Sequence, residues 1–170
     1  MNCKPARLLP LGAMLLAGLL LASLLLGAGC ATDARHAGGI GSLHVFTAPV
    51  ALDLDPPPGA DAIGVTVYAS AAATARGLPI TNGRMEIQMY DGVLAKGMGT
   101  NAAPRHAWTF VPADLQKLGI KTSLGHGYRF ALRWNDTPPL QDRITIVARY
   151  TTARDTVIES APTTIVVTTK

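Results

Sequence analysis

Cysteine is almost absent from this chain, and the two it has, Cys3 and Cys30, fall within the first thirty of 170 residues. The 140 residues that follow hold none, so a domain built from them has to stand without disulfides and without cysteine-based metal sites. Charge is sparse as well: 15 basic and 11 acidic residues give a formal charge of +4, which drops to +2 once Lys4 and Arg7 are set aside. So nearly neutral a domain carries no general nucleic-acid footprint.

Catalytic and metal-binding motifs are missing too. In Gly39-Ile40-Gly41-Ser42 the serine is not centred between two glycines at a strand-to-helix turn, so it makes no nucleophile elbow. The stretch from Gly92 to Thr100 holds Gly, Lys and Thr in the wrong order for a phosphate-binding loop. His44, His106 and His126 are far apart, and none has a second His or Cys nearby, so surface or strand-end positions are expected in place of a zinc site. Asp53, Asp55 and Asp61 around Pro56-Pro57-Pro58-Gly59 offer the hard oxygens that calcium takes, but Asp, Pro and Gly are also ordinary turn residues. The expectation is a turn, with no catalytic residue, no cofactor and no resident metal.

The first thirty residues carry the clearest signal. Lys4 and Arg7 precede an almost unbroken apolar run from Leu8 to Leu26, followed by Gly27-Ala28-Gly29-Cys30. A charged start, an apolar stretch and small residues make the secretory pattern. This segment resembles the signal peptides of bacterial lipoproteins, with Gly27 standing where those signals carry Leu, Val or Ile. The resemblance implies a diacylglyceryl group on the Cys30 thiol and cleavage just before it, leaving residues 1–29 as signal. It also implies attachment to the membrane through lipid on Cys30 and, because Ala31 is not aspartate, sorting to the outer membrane. Two other outcomes stay open: cleavage elsewhere with release, or an uncut apolar helix, since about twenty residues suffice to span a bilayer. Residues 30–41, with Gly38, Gly39 and Gly41, read as the lipidated cysteine and a flexible tether. A tether of that length spans about 18 Å on average and at most about 40 Å, which keeps the domain close to its membrane.

From residue 42 to 170 the apolar residues alternate with period two. Leu43-His44-Val45 starts a strand that Pro49 interrupts before Val50–Leu54. Ile63, Val65 and Val67 share one face, as do Met85, Ile87 and Met89, the latter run bracketed by the turn dipeptides Asn82-Gly83 and Asp91-Gly92. His106–Phe110 follows, with Trp108 and Phe110 on one side. Tyr128, Phe130, Leu132 and Trp134 form the next face, then Ile144, Ile146, Ala148 and Tyr150, and a last run from Thr156 to Thr168 is broken at Pro162. Both tryptophans lie on apolar faces and are expected in the core. Pro112–Leu118 is the one helix: Pro112 opens it, Asp114 sits in its first turn, and Gly119 is expected to close it with a positive φ.

Short strands with Gly, Pro, Asn and Asp turns and one helix predict an all-β, antiparallel β-sandwich of about seven to eight strands. Gly125-His126-Gly127-Tyr128-Arg129-Phe130 after a short helix resembles the approach to the sixth strand of immunoglobulin-like domains. That resemblance implies a tyrosine hydroxyl turned back onto the backbone and Phe130 in the core position where antibody domains place cysteine. Other sandwiches, transthyretin-like or C2-like, fit the alternation nearly as well.

Two surfaces could bind. If the strands carrying them are neighbours, Arg129, Arg133 and Arg149 share one face, with Arg143 and Arg154 near its ends. Guanidinium groups grip phosphate and carboxylate, so lipid headgroups or anionic envelope polymers are candidate ligands. The competing account is a solvated sheet face paired with Glu86. The long loops Ser70–Asn82 and Gly92–Pro104 either present a partner-binding surface or pack over an open sheet edge. The expectation is a lipid-anchored envelope protein with a non-catalytic binding or structural domain and envelope proteins or polymers as partners. An envelope hydrolase and a subunit of a membrane complex are the alternatives.

Overall fold

The computed structural model describes residues 39–56, 59–94 and 102–167. The expected signal segment, Cys30 and most of the expected tether lie outside them, and no helix among the described residues is long and apolar enough to cross a membrane. In chain order the elements are β1 (Ile40–Thr47), β2 (Ala62–Ala71), β3 (Arg84–Asp91), β4 (His106–Phe110), α1 (Pro112–Leu118), β5 (Gly119–Thr122), β6 (Gly125–Arg133), β7 (Arg143–Thr151), β8 (Val157–Glu159) and β9 (Thr163–Val166). They form an antiparallel sandwich. One sheet runs β1-β2-β6-β5, the other β4-β3-β7, with β8 and β9 both paired to the remaining side of β7.

This order is that of immunoglobulin sandwiches, four strands as A-B-E-D facing C′-C-F-G. It also corrects the expectation for Tyr128. Its strand, β6, lies between β2 and β5 and so takes the fifth place of that fold; β7 takes the sixth. The Tyr128 hydroxyl does meet backbone, but it accepts the Ile80 N–H at 2.5 Å, from the distant β2–β3 loop and not from a local corner.

The nine strands among the described residues exceed the expected seven to eight for two physical reasons. Pro162 lacks the N–H that a ladder needs, and the last β run splits into β8 and β9 around it. Ser160 spans the gap: its N–H donates to Ala148 O at 2.8 Å, and its Oγ accepts the Ala148 N–H at 3.0 Å. At the other break, Gly119 leaves the helix in an extended conformation, φ −66° and ψ 134°, so the chain passes straight from α1 into β5. The helix start follows expectation in part, with the Asp114 carboxylate accepting the Val111 N–H at 3.3 Å. Strand β1 also takes up Ile40 and Gly41, which the composition placed in the tether; Ile40 pairs with Ala71 across a register shift. Val50–Leu54 forms only isolated bridges, Val50 to Val166 and Leu52 to Ala62, as the chain crosses from one sheet edge to the other.

The core is the four alternating faces read from sequence. Ile63, Val65 and Val67, then Met85, Ile87 and Met89, then Phe130 and Leu132, then Ile144, Ile146 and Ala148, are all buried. Trp134 is buried just past β6, whereas Trp108 is only half-buried and donates from Nε1 to Arg133 O at 2.8 Å. Leu115 of α1 is fully buried and joins this core. Gly83 and Gly92 turn the chain with φ of 70° and 78°, as the Asn-Gly and Asp-Gly dipeptides predicted.

The strands define two ends. The proximal end, where the chain arrives at Ile40, holds Ala71, Thr122, Gly125, Arg84 and Thr151 by register. The β2–β3 loop crosses this end, tied to both sheets by Ile80 to Tyr128 and by the Tyr150 hydroxyl, which donates to Asn82 O at 3.1 Å. The distal end holds the 48–61 connection, Asp91 and the 134–142 turn.

Candidate ligand-binding site

The candidate site is a groove of about 590 Å³ on the outer face of the β1-β2-β6-β5 sheet, within the range that ligand sites occupy. Register explains the depression. Gly64 of β2 lies opposite Ala131 of β6, so two central strands present small residues side by side. A Cβ added at Gly64 would come within 3.3 Å of the Ala48 Cβ and 3.7 Å of Leu52, filling the floor. The next pair along is Thr66 with Arg129, and Phe46 of β1 lies opposite Thr66. Phe46, 53% exposed, and Leu118 at the end of α1 supply apolar lining. Phe46 is held edge-on against Tyr68, ring centroids 5.8 Å apart. The Tyr68 ring in turn lies over Gly127, where any Cβ would meet it at 2.7 Å.

Arg129 sets the chemistry. Among the described residues no carboxylate lies within 4 Å of its guanidinium, whereas Arg133 pairs with Asp55 and Arg149 Nε lies 3.6 Å from Glu159. An unpaired guanidinium beside apolar walls suits a carboxylate or phosphate attached to an apolar body. The three-arginine face expected from sequence is not assembled. Arg129 and Arg133 are on β6, Arg149 is on β7, and these strands belong to different sheets. Arg143 and Arg154 flank β7, at opposite ends of it.

The outer face of the second sheet carries a polar cluster that alternation alone did not reveal. Tyr90 O–H donates to Gln88 Oε1 at 2.6 Å, and Gln88 Nε2 donates to Glu86, which lies opposite Arg149. Gln88, Tyr90, Thr145 and Val147 are buried although they face away from the core. Burial raises the Tyr90 hydroxyl above its usual pKa, and the nearby Glu159 carboxylate adds to the rise. These hydrogen bonds run from Tyr90 through Gln88 to Glu86, while Arg149 Nε beside them is buried without a hydrogen-bond partner among the described residues, 3.6 Å from Glu159.

The other sequence candidates stay apart. Ser42 and Ser70 hydroxyls are 2.8 Å apart, with His44 Nε2 at 3.4 and 3.3 Å, but no described carboxylate orients His44 as a catalytic base requires. His106 meets Thr137 at 2.5 Å, and His126 stacks edge-on to Tyr128 with ring centroids 5.0 Å apart. Asp53 accepts the Gly59 N–H at 3.1 Å, Asp61 accepts the Leu54 N–H at 3.0 Å, and Asp55 pairs with Arg133. Among the described residues no three metal-ligating side chains converge. The Ser70–Asn82 loop packs between β2 and the β5–β6 hairpin through Gly77, whose N–H donates to Leu124 O at 2.8 Å and whose carbonyl accepts the His126 N–H at 3.0 Å. Of the Gly92–Pro104 loop, residues 95–101 lie outside the described residues.

No protein-family model, no curated protein and no solved structure matches the chain.

Proposed function

We propose that the chain is an envelope lipoprotein, held to the outer membrane by acyl chains on Cys30, whose sandwich is a non-catalytic binding module. Its ligand is an anionic amphiphile, a lipid or polymer bearing phosphate or carboxylate, seated in the groove with its charge on Arg129. The observation that carries this reading is Arg129, with no carboxylate among the described residues within 4 Å, beside the Gly64–Ala131 depression, between Phe46 and Leu118. The lipid anchor is supported by the charged, apolar and small-residue order that ends at Cys30.

The test of the groove is a titration of the protein in neutral-lipid nanodiscs with hexyl phosphate, inorganic phosphate and hexanol, followed at the Arg129 Nε–H resonance. Hexyl phosphate is expected to bind saturably and at least tenfold more tightly than inorganic phosphate. Two buried methylenes at about 0.8 kcal/mol each are enough for that difference. Arg129→Gln should abolish the preference, and Ala131→Leu should block it by filling the depression. Equal, non-saturable responses to all three compounds would refute the site. Intact mass of membrane-extracted protein tests the anchor: a chain beginning at Cys30 and carrying acyl groups is expected, and lost in Cys30→Ala.

A further inference from the structure

The two ends of the sandwich carry opposite charge. At the proximal end, Arg76, Arg84, Lys121 and Arg154 are exposed; the acids near them are Asp155, next to Arg154, and half-buried Asp114, in the first turn of α1 just past Phe110, its carboxylate on the Val111 N–H. At the distal end, Asp53, Asp55, Asp61, Asp91, Asp136 and Asp142 stand against Arg105, Arg133 and Arg143. Three of the proximal cations sit on hairpins and loops that the fold fixes in place. Arg76 precedes Gly77, which is hydrogen-bonded to Leu124, and its Cγ lies 2.9 Å from where a Gly125 Cβ would stand. Lys121 pairs with His126 in the β5–β6 hairpin. Arg154 occupies the β7–β8 turn, its N–H donating to Thr152 Oγ1 at 3.2 Å.

At the tip of the β5–β6 hairpin, between Arg76 and Lys121, stands Leu124, 53% exposed. An exposed apolar residue on a face that also carries cations is the arrangement that interfacial segments use against anionic lipid. Apolar side chains are exposed at the distal end too, Leu54, Val93 and Leu140 among them, but there they stand among aspartates that an anionic surface repels.

The chain enters the sandwich at the basic end. Cys30 precedes Gly39 by nine residues, a reach of at most about 32 Å and on average about half that. We propose that the proximal end, through Arg76, Arg84, Lys121, Arg154 and Leu124, docks on the anionic headgroups of the membrane that holds the protein's own lipid. The proposal rests on the reading of Cys30 as lipidated. Docking leaves the groove clear, because its floor at Gly64 and Ala131 lies in the distal half of the sheet.

The mature chain has no cysteine besides Cys30, so a single reporter can be placed at will. Leu124→Cys and, separately, Leu140→Cys are labelled with an environment-sensitive fluorophore in the full lipidated protein. Each is reconstituted in vesicles of phosphatidylcholine alone or with 30% phosphatidylglycerol. The Leu124 reporter should shift to the blue and be quenched by lipid-borne quenchers in the anionic vesicles, reversibly with salt. The Leu140 reporter should remain in water in both. Arg76→Gln with Lys121→Gln and Arg154→Gln should release the Leu124 reporter while the protein still floats with the vesicles. For chain lacking acyl groups, the same triple substitution should weaken binding to anionic vesicles by roughly a hundredfold, about fivefold per cation.

Flotation and intact mass report on the anchor, and the reporters report on docking. An acylated, floating protein whose Leu124 label stays wet, or whose Leu140 label is the one quenched, overturns the docking proposal alone. If the chain proves unacylated, the anchor fails, and salt-dependent quenching at Leu124 on added anionic vesicles still decides docking: its presence upholds the surface and its absence overturns it.

Discussion

Replacing Tyr128 by phenylalanine isolates one hydrogen bond that ties the β2–β3 loop to β6. The ring is 1% exposed, and its hydroxyl accepts the N–H of Ile80, which is itself buried. Phenylalanine fills the same space but leaves the Ile80 amide with no acceptor in a place that water does not reach. A buried donor stranded in this way costs about 1–3 kcal/mol. With about 2 kcal/mol lost, the midpoint of thermal unfolding should drop by about 8 °C in a domain of this size. Tyr150→Phe is the comparison: its hydroxyl donates to exposed Asn82, where water can substitute, so about 0.5 kcal/mol is expected. Urea unfolding followed by the fluorescence of Trp108 and Trp134 measures both. Titration provides a second reading. Burial raises the Tyr128 hydroxyl in the folded protein above its usual value near 10, opposed in part by the Ile80 bond. An acid raised on folding contributes stability in full below pH 10, and that contribution disappears as the pH climbs towards the folded value. Stability of the natural protein should therefore fall above pH 10, and fall less steeply in Tyr128→Phe. A Tyr128→Phe protein as stable as Tyr150→Phe, with an unchanged alkaline slope, would show that this bond does not hold the loop to the sheet.

Three further substitutions test separate parts of the packing. Leu115→Ala removes the fully buried side chain of α1 and should cost about 2–4 kcal/mol in the same urea assay; a loss under 1 kcal/mol would mean the helix does not contribute to the core. Gly127→Ala places a methyl group 2.7 Å from the Tyr68 ring and should destabilise by about 1–3 kcal/mol, a cost that Tyr68→Leu in the same chain should relieve. Arg133→Gln breaks the pair with Asp55 at the surface and should change stability by less than about 0.5 kcal/mol, with a larger loss indicating that this pair fixes the 48–61 connection.

Strand faces were legible in the sequence because a side-chain period of two is a local property. Ile63-Val65-Val67 and Met85-Ile87-Met89 had only one way to bury themselves, and the positive φ of Gly83 and Gly92 followed from the dipeptides that contain them. Neighbour relations were not legible, because pairing is decided between residues far apart. Arg129 and Arg149 each point outward from their strands as alternation requires, yet one strand pairs with β2 and the other with β3. The same local reading failed at Gly119. A glycine after a helix is usually a stop in the left-handed region, but here pairing with Tyr128 keeps it extended and starts β5.

The groove shows where such signals end. Arg129 was visible from sequence as a cationic side chain on an exposed strand face, but nothing in its own strand distinguishes it from Arg133. The difference lies in what each arginine meets across the fold: Asp55 arrives beside Arg133 from the 48–61 connection, while Arg129 looks onto Thr66 and the Gly64–Ala131 depression. Gly64 was the one available hint, a glycine inside an otherwise β-branched run, where the usual reasons are a bulge or the close approach of another molecule. No bulge interrupts its pairing with β6. Ala48 and Leu52 already occupy one side of the space above it, which leaves the open remainder, bounded by Phe46 and Arg129, as the part that a ligand can take.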